Sequence, residues 1–116
     1  MSANDCLFCK IIAGDIPAEI IYRDDQVLAF RDINPRAPIH VLVIPQKHVD
    51  SLASVTEEQR DIMGKIMIVA REIAAAEGLS ESGYRAVINV GLDGGQTISH
   101  LHLHLLGGRT LHWPPG

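Results

Sequence analysis

The spacing of apolar and polar residues changes several times along this chain, and each change indicates a new structural element. From Cys6 to Ala13 the apolar residues recur at helical spacing, and Gly14 follows as a natural stop. A second helical pattern starts after Thr56, which precedes two acidic residues and a glutamine as in a capping box, and it runs to Gly78. The pattern therefore predicts one short helix and one long helix.

Five other segments have the alternating or β-branched composition that is typical of strands. The predicted strands are Glu19 to Arg23, Gln26 to Arg31, His40 to Ile44, Tyr84 to Val90 and His100 to Leu106. Asp24 and Asp25 form the turn between the first two, and short connections of this kind favour an antiparallel sheet. With the long helix covering one face, the predicted fold class is α+β, in one domain that spans residues 1–116.

Composition narrows the range of partners. The chain has 116 residues, of which 47% are hydrophobic, and a formal net charge of -4, so broad binding to nucleic acid is not expected. No stretch approaches the roughly 20 apolar residues that span a bilayer. The first residues, MSANDC, also lack the order of a signal peptide. We therefore expect a cytoplasmic protein with no membrane partner.

The run HLHLHLL at positions 100 to 106 carries the strongest chemical signal in the sequence. In a strand, a period of two places His100, His102 and His104 on one face, and the leucines between them on the other face, toward the core. Aligned imidazoles repel one another when protonated, and each costs on the order of 1 to 3 kcal/mol if it is buried without a hydrogen-bond partner. Such a row predicts a functional site, and two uses stay open: zinc ligation, or nucleophilic and acid-base chemistry at phosphorus or carbonyl carbon.

Two further patterns point to chemistry. The loop NVGLDGGQTIS, residues 89–99, precedes the histidine run and offers closely spaced glycines whose amides can approach phosphate oxygens, with Thr97 as a hydroxyl donor. Cys6 and Cys9 are separated by two residues. In a cytosolic chain this spacing indicates metal binding or redox chemistry rather than a structural disulfide, with two packing thiols as the alternative.

The histidine run and its surroundings resemble the histidine triad family of nucleotide-binding proteins, in which histidines alternate with apolar residues. The resemblance extends to four longer segments: CLFCKIIAGDIPAEIIY, AFRDINPRAPIHVLVIPQKH, YRAVINVGLDGGQT and LHLLGGRTLHWPPG. Together they cover nearly the whole chain and are similar to the Hint branch of the family. The resemblance implies a homodimer whose two five-stranded sheets join into one. It also implies hydrolysis of purine nucleoside phosphoramidates and of acyl or aminoacyl adenylates, with no metal needed for catalysis.

The resemblance also implies roles for individual positions. His102 matches the nucleophile, which forms a covalent nucleotidyl-histidine, His104 matches a histidine that contacts the phosphate, and His40 matches one that supports the nucleophile. Asp32 matches the carboxylate that accepts the ribose hydroxyls; by pattern alone it would be a turn residue. The remaining matches are Asn89, Gly95 and Thr97 around the phosphate, and Phe8, Ile16, Phe30, Ile33 and Leu42 around the base and ribose.

Some relatives, including galactose-1-phosphate uridylyltransferases, hold zinc with a cysteine pair and two histidines. The matching positions here are Cys6, Cys9, His48 and His100. Two thiolates and two imidazoles leave no open coordination position, so the implied zinc is structural. His100 would then serve the metal, while the other two histidines of the run serve phosphate.

Two other functions stay open at this point. One is a nucleotide-binding regulatory module in which catalysis is residual. The other is a dinucleoside polyphosphate hydrolase of the Fhit-like branch, which the ending HWPPG disfavours. The tail around Trp113 has no obvious place in so small a core, and we expect it to pack on another surface, near the partner's active site in a homodimer.

Overall fold

The computed structural model describes residues 5–116. Its helices are α1 (Leu7–Ala13) and α2 (Arg60–Ala76), and its strands are β1 (Ile20–Arg23), β2 (Val27–Arg31), β3 (Ile39–Pro45), β4 (Tyr84–Val87) and β5 (Leu103–Gly107). Short 3-10 turns at Leu52–Ser54 and Glu57–Gln59 lead into α2. No helix in this part of the chain is long and apolar enough to cross a membrane.

The five strands form one sheet in the order β1-β2-β3-β5-β4, and every neighbouring pair is antiparallel. The predicted α+β class, with a five-stranded antiparallel sheet, one long helix and one short helix, is therefore confirmed. In the register of β3 with β5, His40 lies opposite Leu106 and Leu42 lies opposite His104. His40 and His104 are thus diagonal neighbours on the same face of the sheet.

Alternation along the central strands gives the sheet two buried faces. On β3, Val41 and Val43 pack with α2, whereas Leu42 and Ile44 pack with α1 on the opposite face. The larger core, on the α2 side, also contains Val27, Ala29, Ile66, Val69, Ala70, Ile73, Ala74, Leu79, Leu101, Leu103 and Leu105. The leucines of the histidine run therefore face the core, as their spacing predicted.

The helical conformation begins directly after Thr56, as the sequence predicted, but its first residues are not α-helical. Thr56 and Gln59 form a capping box, but the residues directly after Thr56 make a 3-10 turn, and the α-helix starts at Arg60. Past the other end, Gly78 has a φ of 78°, a conformation that favours glycine.

The last two strands are shorter than predicted. β4 ends at Val87 rather than Val90, and β5 starts at Leu103 rather than His100. The reason is that the chain leaves the ladder here: the N–H of Leu101 donates to the carbonyl of Val49, in the segment before α2, at 2.7 Å instead of to a strand. His100 and His102 consequently precede the strand, where their side chains can reach groups that a ladder position would not offer.

Candidate functional site

A cavity of about 470 Å³ opens on the α1 side of the sheet. All twelve residues expected to contact a nucleotide or to act in catalysis line it: Phe8, Ile16, Phe30, Asp32, Ile33, His40, Leu42, Asn89, Gly95, Thr97, His102 and His104. Phe8, Phe30 and Leu42 come from three different elements and form part of one buried cluster. The histidines, Asp32, Asn89 and Thr97 supply polar groups, so the cavity combines an apolar wall with a few convergent polar groups.

The sequence did not single out several other lining residues, namely Leu7, Ile11, Pro17, Ala18, Arg31, Asn34, Arg36 and Ile98. Ile11 lies one helical turn after Phe8, so the same-face rule for helices was sufficient to find it. Arg36 lies in an irregular loop where no periodicity applies, and only the tertiary structure brings it to the cavity.

His102 has a tautomer that the backbone determines. Its Nδ1 lies 2.7 Å from the carbonyl oxygen of His100, so Nδ1 carries the hydrogen and donates it. The other nitrogen, Nε2, is left with a free lone pair. The ring is 5% exposed and packs edge-on against Phe8 with ring centroids 5.1 Å apart. The structure thus presents an oriented, unprotonated nitrogen beside the cavity.

His104 has the opposite tautomer, because of a hydrogen-bond chain that starts at the loop before β3. The N–H of Arg36 donates to Nδ1 of His40 at 3.0 Å, so the hydrogen of neutral His40 is on Nε2. This Nε2 lies 2.9 Å from Nδ1 of His104, which must then accept. The hydrogen of His104 is therefore on Nε2, and the two adjacent histidines offer one acceptor nitrogen and one donor.

Burial keeps these imidazoles neutral. Desolvation lowers the pKa of His40 and of His102 below the ordinary histidine value, although the carboxylate of Asp32 opposes the effect in both. For His104, burial and then the neighbouring His102 and His40 lower the pKa to about 4. At neutral pH the site therefore holds uncharged rings, as a nitrogen nucleophile requires.

Asp32 belongs to this hydrogen-bonded group. Its Oδ1 accepts from the N–H of Asn34 at 2.8 Å, and its Oδ2 lies 3.5 Å from Nε2 of His40. Asp32, His40 and His104 are close enough together to share a metal ion. The hydrogen bonds argue against one, because Nδ1 of His40 is already accepting from Arg36 and a metal on its Nε2 would require an imidazolate.

The glycine-rich loop is held in place by one side chain. Gln96 accepts from the N–H of Gly91 at 3.1 Å and donates to the carbonyls of Asp50 and Ile98 at 2.8 and 2.9 Å. The N–H of Gly95 donates to the carbonyl of Leu92 at 3.1 Å. That hydrogen bond closes the loop. Gly95 therefore borders the cavity, but its N–H is not free to donate to a phosphate, unlike the free loop amides that the sequence suggested.

A second cluster contains the four residues expected to bind zinc. Nδ1 of His100 lies 3.3 Å from Sγ of Cys6 and 3.6 Å from Sγ of Cys9, and Nδ1 of His48 lies 3.3 Å from Sγ of Cys9. All four candidate ligand atoms lie within 4.8 Å of one another. Burial and the neighbouring Cys6 raise the pKa of Cys9 to about 11, so without a cation this thiol stays protonated. A bound cation would reverse this preference.

The other nitrogen of each histidine in this cluster has its own partner. Nε2 of His48 lies 2.7 Å from a carboxylate oxygen of Asp50, and Nε2 of His100 lies 2.9 Å from the carbonyl of Pro45. Both rings therefore keep their hydrogen on Nε2 and turn the Nδ1 lone pair toward the thiols. Metal-binding histidines are oriented in the same way by outer acceptors, so the donor set fits zinc.

This arrangement, a five-stranded antiparallel sheet with alternating histidines at a cavity, is that of a histidine triad protein. The family model of the HIT domain matches residues 13–111. An uncharacterised HIT-like protein of Synechococcus elongatus is 54% identical over 114 residues, which cover 98% of this chain and 99% of that protein. The chain belongs to the HIT family, as its histidine run indicated.

Solved structures give the same assignment. A HIT family hydrolase from Legionella pneumophila superimposes with a TM-score of 0.95 at 53% identity, covering 97% of this chain and 100% of its own. A histidine triad protein from Clostridium difficile has a TM-score of 0.92 at 47% identity and covers 97% of both chains. The similarity thus extends over nearly the full length of each protein.

Proposed function

We propose that this protein is a hydrolase of the Hint type, which cleaves purine nucleoside phosphoramidates and acyl or aminoacyl adenylates to the nucleoside monophosphate. The observation that carries the proposal is the pair of opposite tautomers. His102 offers a lone pair on Nε2, as a nucleophile must, and His104 offers an N–H on Nε2, as a group that stabilises a phosphoryl oxygen must.

The cavity has suitable walls for a nucleotide. Phe8, Phe30 and Leu42 supply an apolar surface for a purine and ribose, and Ile33, which is 87% exposed, can close over the base from the rim. Asp32 is the carboxylate at the cavity that can accept ribose hydroxyls. Thr97 and Asn89 lie with the histidines, where donors are needed for the α-phosphate.

The reaction proceeds in two displacements at phosphorus. In the first, Nε2 of His102 forms a bond to the α-phosphorus, the phosphorus–nitrogen bond of the substrate breaks, and the departing nitrogen takes a proton from water. In the second, water adds to phosphorus and gives up a proton, which neutralises the hydroxide left by the first step, the bond to His102 breaks, and the nucleoside monophosphate leaves. His104 and Thr97 stabilise negative charge on the phosphoryl oxygens in both steps.

His40 acts through His104 in this proposal. The hydrogen bond of His40 reaches His104, and none joins it to His102 among residues 5–116. Its support of the nucleophile is therefore indirect: by donating to Nδ1 of His104 it keeps the hydrogen of His104 on the nitrogen that serves phosphate.

A structural zinc ion would be held by Cys6, Cys9, His48 and His100, and its charge would stabilise the two thiolates. The ion would not contact substrate, because the ligands enclose it and His100 joins the active site through its backbone carbonyl.

We also propose a homodimer, because α2 exposes Met67 and Ile68, and the tail exposes 82% of Trp113. The competing proposal of a purely regulatory nucleotide-binding module leaves the opposite tautomers without a use.

The direct test is His102→Ala with adenosine 5′-phosphoramidate as substrate. We expect turnover to fall by more than about a hundredfold, because the variant loses the bond that His102 makes to phosphorus in the transition state. AMP binding should stay near that of the parent. Rapidly quenched parent protein should show one nucleotidyl adduct, located on His102 by peptide mass spectrometry. Turnover above a hundredth of the parent in the variant, or an adduct on another residue, would remove His102 from this role.

A further inference from the structure

The rim of the cavity carries the positive charge of Arg36, which forms no ion pair with a carboxylate of residues 5–116. Arg36 lines the cavity with an exposed side chain, and no ion pair or side-chain hydrogen bond engages its guanidinium within residues 5–116. The other arginine of the cavity, Arg31, is different: it pairs with Glu19 at 2.9 Å and with Glu77 at 2.5 Å. Arg36 is therefore the arginine of the cavity lining whose charge has no ion-pair partner among residues 5–116.

A second arginine reinforces this charge. Arg109 places its guanidinium against the carbonyl of Arg36, with Nη2 at 2.8 Å and Nε at 3.1 Å, and donates to the carbonyl of Thr110 at 3.0 Å. Carbonyl oxygens satisfy hydrogen-bond donors but leave the net charge in place. Arg109 therefore adds a second positive charge next to the backbone of Arg36, from outside the cavity lining.

The backbone of Arg36 is fixed relative to the catalytic histidines. Its N–H donates to Nδ1 of His40, and its carbonyl accepts from Arg109, so both main-chain groups are engaged. The charge of Arg36 also acts on the site: burial is the main cause of the lowered pKa of His40, and Arg36 lowers it further. The side chain thus starts from a defined position beside the phosphate-binding histidines, while its tip is free to meet a ligand.

We propose that Arg36 binds a second anionic group of the substrate, a phosphate or carboxylate carried in addition to the α-phosphate. The inference rests on the proposed function and specifies its substrate class. A guanidinium presents a planar set of donors that matches phosphate and carboxylate oxygens. The second group can be part of the leaving group or a substituent on the ribose, and both sources would present the same oxygen chemistry.

Equilibrium binding to the full-length protein separates these two sources without relying on turnover. Adenosine 5′-diphosphate carries its extra phosphate where the leaving group lies, adenosine 3′,5′-bisphosphate carries it on the ribose, and AMP is the reference. The variants are Arg36→Ala and Arg36→Lys. Arg23→Ala is the matched control, since it removes one exposed positive charge from a residue that does not line the cavity.

We expect the parent to bind one of the two ligands that carry two phosphates about three- to tenfold more tightly than AMP, a range suited to an exposed charge-assisted contact. Arg36→Ala should lose this preference, Arg36→Lys should keep part of it because its point charge lacks the planar fork, and Arg23→Ala should keep all of it. The ligand that shows the effect identifies the source of the second group.

The inference is overturned if the parent binds neither ligand more tightly than AMP. It is also overturned if Arg36→Ala keeps the parent's preference to the same extent as Arg23→Ala does. These results are distinct from failure of the proposed function. If only the proposed function fails, AMP should still bind and the effect of Arg36 on binding should persist, but adenosine 5′-phosphoramidate should yield neither product nor a His102 adduct.

Discussion

Identical imidazole side chains have different chemistry in this protein because each has a different partner. Nδ1 of His102 donates to a backbone carbonyl, whereas Nδ1 of His104 accepts from His40. His100 turns Nδ1 toward two thiols and its other nitrogen to the carbonyl of Pro45. At the scale of single residues, the function of a histidine is thus set by which of its nitrogens the fold leaves without a hydrogen.

The buried neutral state of His104 has a consequence for stability that can be measured. Its pKa is lowered to about 4 in the folded chain by burial, His102 and His40, with Asp32 acting in the opposite direction. In the unfolded chain the value is near 6.5. Between these two values the unfolded state binds more protons, so the free energy of unfolding should fall as the pH decreases from about 6.5 to about 4.

The variant His104→Asn isolates this contribution, because it keeps a polar side chain and removes the titratable one. Denaturant unfolding at pH 7 and pH 5 should show a smaller loss of stability in the variant than in the parent. Comparing the two proteins cancels the titration of the cysteine and histidine cluster, which both retain. Equal losses in both proteins would show that His104 is not held neutral by the fold.

At the scale of elements, the seven-residue helix α1 serves both sites. Its N-cap residue Cys6 and its third residue, Cys9, belong to the cluster with His48 and His100, while Phe8 packs between them and the cavity against both His100 and His102. An isolated helix of this length is unstable in water, so tertiary contacts must hold it. A metal ion bound by its two cysteines would be a strong contact of this kind.

Replacing Cys6 by serine should therefore destabilise the protein more than it affects catalysis. We expect the variant to retain less than about a tenth of an equivalent of zinc and to melt on the order of 10 °C lower. Turnover should stay within a few fold, because the N–H of Leu101 still anchors the backbone beside the His100 carbonyl by donating to Val49. Elemental analysis, thermal melting and steady-state turnover measure the three effects.

Ala13→Ser, at an exposed position of the same helix, is the control and should keep both metal and stability. A strong chelator should lower the melting temperature of the parent and of this control, but not that of Cys6→Ser. If parent protein purified without chelator contains no zinc, and both cysteines react as free thiols in a stable fold, the cluster is a packing feature instead.

At the scale of the whole molecule, part of the apolar surface remains uncovered in one chain. Met67 and Ile68 on α2 are 51% and 53% exposed, and Tyr84 on the edge strand β4 is 40% exposed. β4 has a hydrogen-bonded neighbour on one side only. An open edge and an apolar helix face are surfaces that a second copy of the chain can cover.

Sedimentation should accordingly show a species of twice the chain mass at micromolar concentration. The double variant Met67→Glu/Ile68→Glu should shift it to the monomer, because it places charge in an interface that must exclude water. Leu92→Glu, at a 94% exposed loop position, places one such charge on another exposed apolar residue and should leave the dimer intact. A parent protein that sediments as a monomer and is fully active would contradict the dimer.

Local patterning was sufficient to predict much of this fold. The helical spacing, the capping residues and the alternation of leucines with histidines each act over a few residues, so they can be read in the sequence. The same reasoning overextended β4 and β5, since the spacing of HLHLHLL continues past the point where Leu101 bonds to Val49 instead of a strand. Local patterns marked the histidine run, the glycine-rich loop and the cysteine pair, whereas family resemblance supplied Asp32, His40, His48 and the apolar residues of the cavity, which no local pattern distinguishes from core or turn residues.

Only the tertiary structure decided the chemical state of those residues. The tautomers of His102 and His104 depend on a carbonyl and on a side chain from another strand, His40, which is 64 positions away from His104. The depressed pKa values depend on burial, which requires the sheet and α1 to be assembled. Arg36 likewise becomes significant only through its neighbours. The sequence determined which groups are present, whereas proton positions and charge compensation were decided by the fold, because electrostatic and hydrogen-bond energies depend on distances between residues that are remote along the chain.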